Sequence, residues 1–486
     1  CMRCLTCFSE TVGHGDMRCA LNPEAQRNRE SFYALPEAKK QKVLVVGEFA
    51  VKPRYQGGGS SHINSFKVTS LMDALKDFPG VSYSQGYRID CADEVPELLE
   101  AAVEAAGKAD KVVIVAGLPD SFESEGYDRT HMRMPKGQER LISAVSAANP
   151  NTVVLLYNGS PIEMPWVHEV KGIVEGYLAG QNVGTANRAV LFGEVSPSAR
   201  LPETFPVRLE DTPCYLNYGG EGNTAVYSEG VFVGYRYYTK KKLPVLFPFG
   251  YGLSYTNFSY ANLRLSADTI KDTDTLTVSV DVTNTGKVDG KEVVQLYVAD
   301  RESSVFRPVR ELKGFDKVFL KAGETRTVTF TGFQEDLVKA LEIYTLSLHD
   351  ALPISFAYWN IDIHDWYVET GLFDIQICSD ADTVILQAPV TVESTQQVPH
   401  HYDINTIMMD ILKDPKAAAI VQGTMKQATS ALSGGDESEA SSEAITDEMS
   451  NAMMQYMPLR GMVMFSGGAL TFESLQKLLD AMNSAQ

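Results

Sequence analysis

Short runs of β-branched and aliphatic residues punctuate the first half of the chain. KVLVV (42–46), followed by Gly47, is the first; KVVIVAG (111–117) and NTVVLLYNG (151–159) repeat the type. Runs this short and this apolar suit strands buried on both faces of a sheet. Between them, SLMDALKDF (70–78) and EVPELLEAAVEAAG (94–107) carry apolar residues at helical spacing. Strands alternating with helices predict an α/β domain with a doubly wound, mostly parallel sheet over 42–206. Residues 207–260 are rich in Tyr, Gly and Pro and read as a wrapping linker. From about 262 the period drops to two. Leu276, Val278, Val280 and Val282 alternate with polar residues, as do Val294, Leu296 and Val298, and NTG (284–286) turns the chain between them. This predicts an all-β sandwich over 261–397, with strands at 276–282, 291–299, 313–320, 325–332, 372–378 and 383–393. Residues 398–486 read as a helical tail. Inside it SGGDESEASSE (433–443) is an acidic linker that cannot bury enough apolar surface to order itself. Residues 1–41 form a separate Cys-rich, then polar, segment.

Composition narrows the partners. A chain of 486 residues, 44% hydrophobic and 22% charged, can build several cores. No run reaches the roughly 18 apolar residues of a membrane-spanning helix. Against 43 Lys and Arg stand 62 Asp and Glu, a net charge of −19. That surface repels phosphates, so nucleic acid and membranes are not expected as partners, whereas a neutral sugar fits. The chain opens on Cys1 rather than Met, which reads as a fragment, and no charged-then-apolar leader is visible, so a cytoplasmic site is expected.

The cysteines are uneven. Cys1, Cys4, Cys7 and Cys19 space as C-x2-C-x2-C-x11-C, a set that can hold a [4Fe–4S] cluster or zinc. Cys91, Cys214 and Cys378 stand far apart and read as reduced thiols.

KVLVVGEFA (42–50), PRYQGGGSSHIN (53–64) and SEGYDR (124–129) resemble the second domain of glycoside hydrolase family 3. GSPIEMPW (159–166), LFGEVSPSARLPETFP (191–206), SEGVFVGYRYY (228–238) and LFPFGYGLSYTNF (246–258) follow in the family's order. VTNTGKVDGKEVVQLYV (282–298) and FAYWNIDIHDW (356–366) resemble its fibronectin type III-like domain, and the tail from Tyr402 resembles the helical extension of bacterial β-glucosidases. The resemblance spans about 42–340 and 356–486. It implies a retaining glycosidase acting on terminal β-D-glycosyl residues, with a β-glucoside or related oligosaccharide as substrate and no cofactor.

Such an enzyme needs two carboxyl groups about 5–5.5 Å apart, one as nucleophile and one as acid then base. SEGYDR follows KVVIVAG, at the strand end where open α/β sheets bind ligands. By resemblance Glu125 is the acid/base, with Glu123 its nearest competitor, and Asp128 and Arg129 are a pair bracing the loop. Arg54 and His62 are candidates for touching sugar hydroxyls, against the alternative of a loop packed on a barrel. The glycine run at 57–59 is no dinucleotide fingerprint, because it does not directly follow the strand. The aromatics of VFVGYRYY read as linker packing, and His364, Asp365 and Trp366 as structural.

Three features depart from the family. Its (β/α)8 barrel, which carries the nucleophilic aspartate, has no counterpart here, so the barrel is a missing partner and the chain alone is expected to be inactive. Residues 1–46, through CMRCLTC and RCALNPEAQRNRE (18–30), resemble the iron–sulfur segment of old-yellow-enzyme-type enoate reductases, which implies a chimera carrying at most an orphan cluster. TLSLHDALPIS (345–355), with His349, resembles a translated sequencing adapter and interrupts the sandwich at about 341–355. Two other readings stand beside the glycosidase: a carbohydrate- or partner-binding module without catalysis, and an iron–sulfur flavin oxidoreductase suggested by the N-terminal segment only.

Overall fold

The computed structural model describes residues 41–331, 356–361, 363–398, 400–421, 455–465, 468 and 470–485. The four N-terminal cysteines, the stretch with His349 and the acidic linker lie outside them.

The apolar runs form a five-stranded sheet in the order β2-β1-β3-β4-β5, all pairings parallel. Its strands are β1 (Val43–Val46), β2 (Val81–Ser84), β3 (Lys111–Gly117), β4 (Thr152–Tyr157) and β5 (Gly172–Glu175). Four helices alternate with them: α1 (Leu71–Leu75), α2 (Pro96–Ala106), α3 (Lys136–Ala148) and α4 (Val183–Leu191). β1 and β4 are wholly buried and β3 nearly so, as their continuous apolar sequence requires. Ser70 starts α1 with a capping box, its hydroxyl accepting from Asp73 N at 3.1 Å and Asp73 Oδ2 accepting from Ser70 N at 3.0 Å. The chain runs outward from β1 to β2, then returns past β1 to β3 and on to β5. The loops after β1 and β3 therefore part at the topological switch point, where such sheets open a crevice.

The segment after Pro206 does not leave this domain. β6 (Phe205–Pro206) pairs with β7 (Val245–Phe247), α5 (Tyr235–Lys241) lies between them, and Tyr251 and Tyr255 pack on the α/β core.

The two-residue period builds a sandwich. One sheet has the order β13-β10-β8, the other β12-β11-β16-β17-β9. The strands are β8 (Phe258–Leu265), β9 (Thr269–Lys271), β10 (Thr277–Asn284), β11 (Gly290–Asp300), β12 (Glu311–Leu320), β13 (Thr325–Thr331), β16 (Gly371–Cys378) and β17 (Val384–Glu393). Val278, Val280 and Val282 of β10 face Val294, Leu296 and Val298 of β11 across one core with Phe373, Ile375 and Ile377. The opposite face of β11 is buried as well, through Val293, Gln295 and Tyr297, while Glu292 lies at the end of the core face. Gln295 Nε2 donates to Gly250 O at 3.0 Å, and Arg200 pairs with Glu292 at 2.6 Å. A side chain at Gly250, whose φ is +82°, would collide with Gln295 Oε1.

A second compact unit comprises the described residues of 358–367 and 396–486. Its hairpin pairs β14 (Tyr358–Asn360) with β15 (Asp365–Tyr367), setting Trp359 opposite Trp366, with His364 in the left-handed region at the turn. Asp365 and Trp366 thus serve as strand residues. Its helices α6 (Met408–Lys413), α7 (Leu459–Phe465) and α8 (Phe472–Ser484) share a core of Met408, Ile411, Leu459, Leu475, Leu479 and Met482. No described helix is long and apolar enough to cross a membrane.

Candidate active site

β3 ends at Gly117, and the loop that follows it to Arg129 carries both candidate acids. The loop after β1 supplies Arg54, which is buried beneath it. Arg54 Nε donates to Asp120 Oδ1 at 3.1 Å, Nη1 to Glu123 Oε2 at 2.6 Å and Nη2 to Glu123 O at 2.7 Å. All three guanidinium nitrogens are thus spent on the loop. In this arrangement Arg54 holds the loop from below.

Glu123 turns inward. Besides Arg54, its Oε2 accepts from Gly159 N at 2.7 Å, and Oε1 accepts from the Ser160 hydroxyl. Burial by itself would raise its pKa, but the hydrogen bonds from Ser160, Arg54 and Gly159 outweigh burial and hold it below the usual carboxylate range. An enclosed, ionised carboxylate with its acceptors occupied is poorly suited to donate a proton.

Arg129 closes the far end of the loop. Its Nη1 donates to Ser160 Oγ at 2.6 Å and to Pro161 O at 3.0 Å. Asp128 points elsewhere, accepting from Tyr218 OH at 2.6 Å. Each anchors the loop separately, Asp128 through Tyr218 and Arg129 through Ser160 and Pro161.

Glu125 lies between these anchors and is exposed. Its Oε2 accepts from Ser60 N, at the tip of the glycine-rich loop. Hydrogen bonding from Ser60, by side chain and then backbone, lowers its pKa. The glycines have a steric reason. A Cβ at Gly58 would collide with Ser124 Oγ, and one at Gly59 with Glu125 itself. The glycine-rich loop packs on the Glu125 loop. His62 sits on it exposed, with Nδ1 3.0 Å from Gln56 Nε2. Gln56 also exchanges two 3.0 Å hydrogen bonds with the backbone of Ile63.

Two residues went unnoticed in the sequence. Glu175 ends β5 and is 1% exposed. Its Oε1 accepts from Tyr177 N at 3.1 Å and its Oε2 from Asn158 Nδ2 at 3.3 Å. Asn158 also donates to Ser160 O at 3.0 Å. The available signal was a carboxylate at the end of the apolar strand GIVE, where the pattern calls for burial. Ile63 and Phe66 beyond the glycine-rich loop, Tyr127 on the Glu125 loop, and Leu216 and Tyr218 on the segment that reaches Asp128 are exposed. Among the described residues no group of three or more His, Cys, Asp or Glu could hold a metal ion.

Residues 27–235 match the glycosyl hydrolase family 3 C-terminal domain, and 292–338 match a fibronectin type III-like domain. The first match begins inside the stretch that resembles enoate reductases. Thermostable beta-glucosidase B of Acetivibrio thermocellus is 44% identical over 456 residues, covering 93% of this chain and 57% of that protein. An exo-alpha-(1->6)-L-arabinopyranosidase of Bifidobacterium breve is 43% identical over 74% of this chain and 45% of its own length. Among solved structures, the family 3 beta-glucosidase of Bifidobacterium adolescentis superposes with a TM-score of 0.72 at 38% identity, over 83% of this chain and 56% of that one. The chain thus spans about half the length of the curated relatives it matches.

Proposed function

We propose that this chain, whose residues 27–235 match the glycosyl hydrolase family 3 C-terminal domain, carries the acid/base half of a retaining β-glucosidase, with Glu125 as that acid/base. One observation carries the reading. Of the two glutamates on the loop after β3, Glu125 is the one held outward, on a loop anchored from below by Arg54 and at its end by Arg129. A proton donor of this kind works in two steps. It protonates the leaving oxygen as a carboxylate attacks the anomeric carbon, then takes a proton from the water that releases the glycosyl-enzyme ester.

The attacking carboxylate belongs, in this proposal, to the family barrel as partner. The exposed side chains of Ile63, Phe66, Tyr127 and Tyr218 suit such a cover. Covering would also serve the chemistry, since an exposed Glu125 bonded to Ser60 is ionised at neutral pH, and burial against a second surface raises a carboxyl pKa toward that of a working acid. The substrate is a terminal β-D-glucoside. The name of the arabinopyranosidase relative makes an α-L-arabinopyranoside the second substrate to try. The described cysteines, Cys91, Cys214 and Cys378, are free, which suits the cytoplasmic location that goes with this proposal.

The test is reconstitution. The chain is mixed with a separately expressed family 3 barrel and assayed for glucose release from an unactivated β-linked glucose disaccharide, with and without Glu125→Gln. Turnover that appears on mixing and is lost in E125Q supports the reading. Turnover indifferent to E125Q defeats it.

A further inference from the structure

We propose that Glu175 is a positioning residue for Glu125: from inside the protein it ties the ends of β4 and β5 together and so sets the two loops between which Glu125 is held. The inference rests on the reading of Glu125 as the acid/base.

Two chains of contacts lead outward from Glu175. Through Oε2 it meets Asn158, which holds Ser160 O; the Ser160 hydroxyl then meets Glu123 and Arg129, on either side of Glu125. Through Oε1 it meets Tyr177 N, fixing the backbone that follows β5. Three residues on, Gly180 N donates to Tyr55 O at 2.8 Å, on the loop whose Ser60 holds Glu125. The two routes close a ring with Glu175 at one point and Glu125 opposite. Tyr177 has a φ of 47°, a left-handed conformation uncommon outside glycine, and its hydroxyl donates to Glu203 Oε1 at 3.3 Å. Residues held in such regions persist only where their surroundings over-determine them, and Glu175 is part of that enclosure.

The protonation state fits the role. Burial raises the Glu175 pKa well above the usual carboxylate range and so favours the neutral form, against the hydrogen bonds from Tyr177 and Asn158, and the charged side chains acting on it, Glu203 and Glu123, are both acidic. Asn158 Oδ1, on the same amide that contacts Glu175, is a buried acceptor with no partner. A neutral acid brings a donor to this neighbourhood, which a carboxylate does not.

Two measurements on the full chain test this without turnover, so they stand even if the glycosidase reading fails. The difference infrared spectrum between wild type and Glu175→Gln should contain a protonated-carboxyl carbonyl band at pH 7. Titration of the Glu125 carboxyl by NMR should be unchanged in E175Q, which keeps an uncharged side chain of the same length. It should shift upward, toward the value of a free exposed glutamate, in Glu175→Leu, as the Ser60 contact is lost. Should E175L not fold, Glu175→Asp, one methylene shorter, takes its place. Absence of the carbonyl band, or a folded E175L or E175D whose Glu125 titrates as in wild type, overturns the proposal.

Discussion

Gly59 lies so close to Glu125 that no room remains between them for a Cβ. Gly59 has a φ of +90°, and a methyl group there would fall on the Glu125 side chain. The glycine run thus answers to an approach between two loops, with the acid as its neighbour.

Gly59→Ala should combine a strained backbone with that collision. The expected cost is about 1–3 kcal/mol of stability, read by chemical denaturation. Glu125 should be displaced from Ser60, and its NMR titration should move up accordingly. A variant with wild-type stability and titration would mean that the loop is free to shift.

The chain alone should show no measurable β-glucosidase activity. General acid catalysis contributes about 10²–10⁴-fold, whereas enzymes commonly reach roughly 10⁶-fold or more. In an assembly reconstituted with a barrel, Glu125→Gln should therefore reduce kcat by about 10²–10⁴-fold for substrates with poor leaving groups. The loss should be smaller for activated aryl glucosides, which need little protonation. Equal losses on both would argue that Glu125 acts otherwise than as an acid.

Glu123 should govern part of the acid sensitivity. Its folded-state pKa is depressed by Ser160, Arg54 and Gly159 against the effect of burial. Its contribution is therefore present above the unfolded pKa of about 4.3 and disappears as pH falls through the lower folded value. Glu123→Gln should flatten the stability–pH curve below about pH 4.3. Arg54→Ala should destabilise at neutral pH by up to about 3–5 kcal/mol, since it strips the cation from a largely buried pair. Denaturant midpoints across pH 3–7 check both.

Glu175 should give the opposite slope. Its pKa is raised, by burial first, so its contribution is fully present below about pH 4.3 and falls as pH rises toward the folded value. Wild type should therefore lose stability relative to Glu175→Gln by up to about 1.4 kcal/mol per pH unit between those limits. Parallel stability curves for the two proteins from pH 5 to 8 would show an ionised Glu175.

Much of this architecture was open to reading in the chain. KVLVV, KVVIVAG and NTVVLLYNG are central strands because continuous β-branched runs tolerate burial on both faces, and they form β1, β3 and β4. The alternation of Val278, Val280 and Val282 located β10 to within two residues of its ends. β2 escaped notice because VSYS is a partly exposed edge strand, and β5 because four residues ending in Glu do not register as apolar. At the site, the position of SEGYDR after β3 was legible. What Arg54 does was not, since its partner Glu123 is 69 positions away and only the fold joins them. A buried Glu175 likewise has no local signature beyond one acid in the wrong place.

The two-sided burial of β11 bears on how the chain can be divided. Removing the sandwich at about residue 257 would uncover Glu292, Gln295 and Tyr297 on one piece and strip Arg200 and Gly250 of their partners on the other. Neither fragment would be an autonomous folding unit. The α/β domain and the sandwich should instead melt in a single cooperative transition, and limited proteolysis that severs them should release insoluble halves rather than two domains.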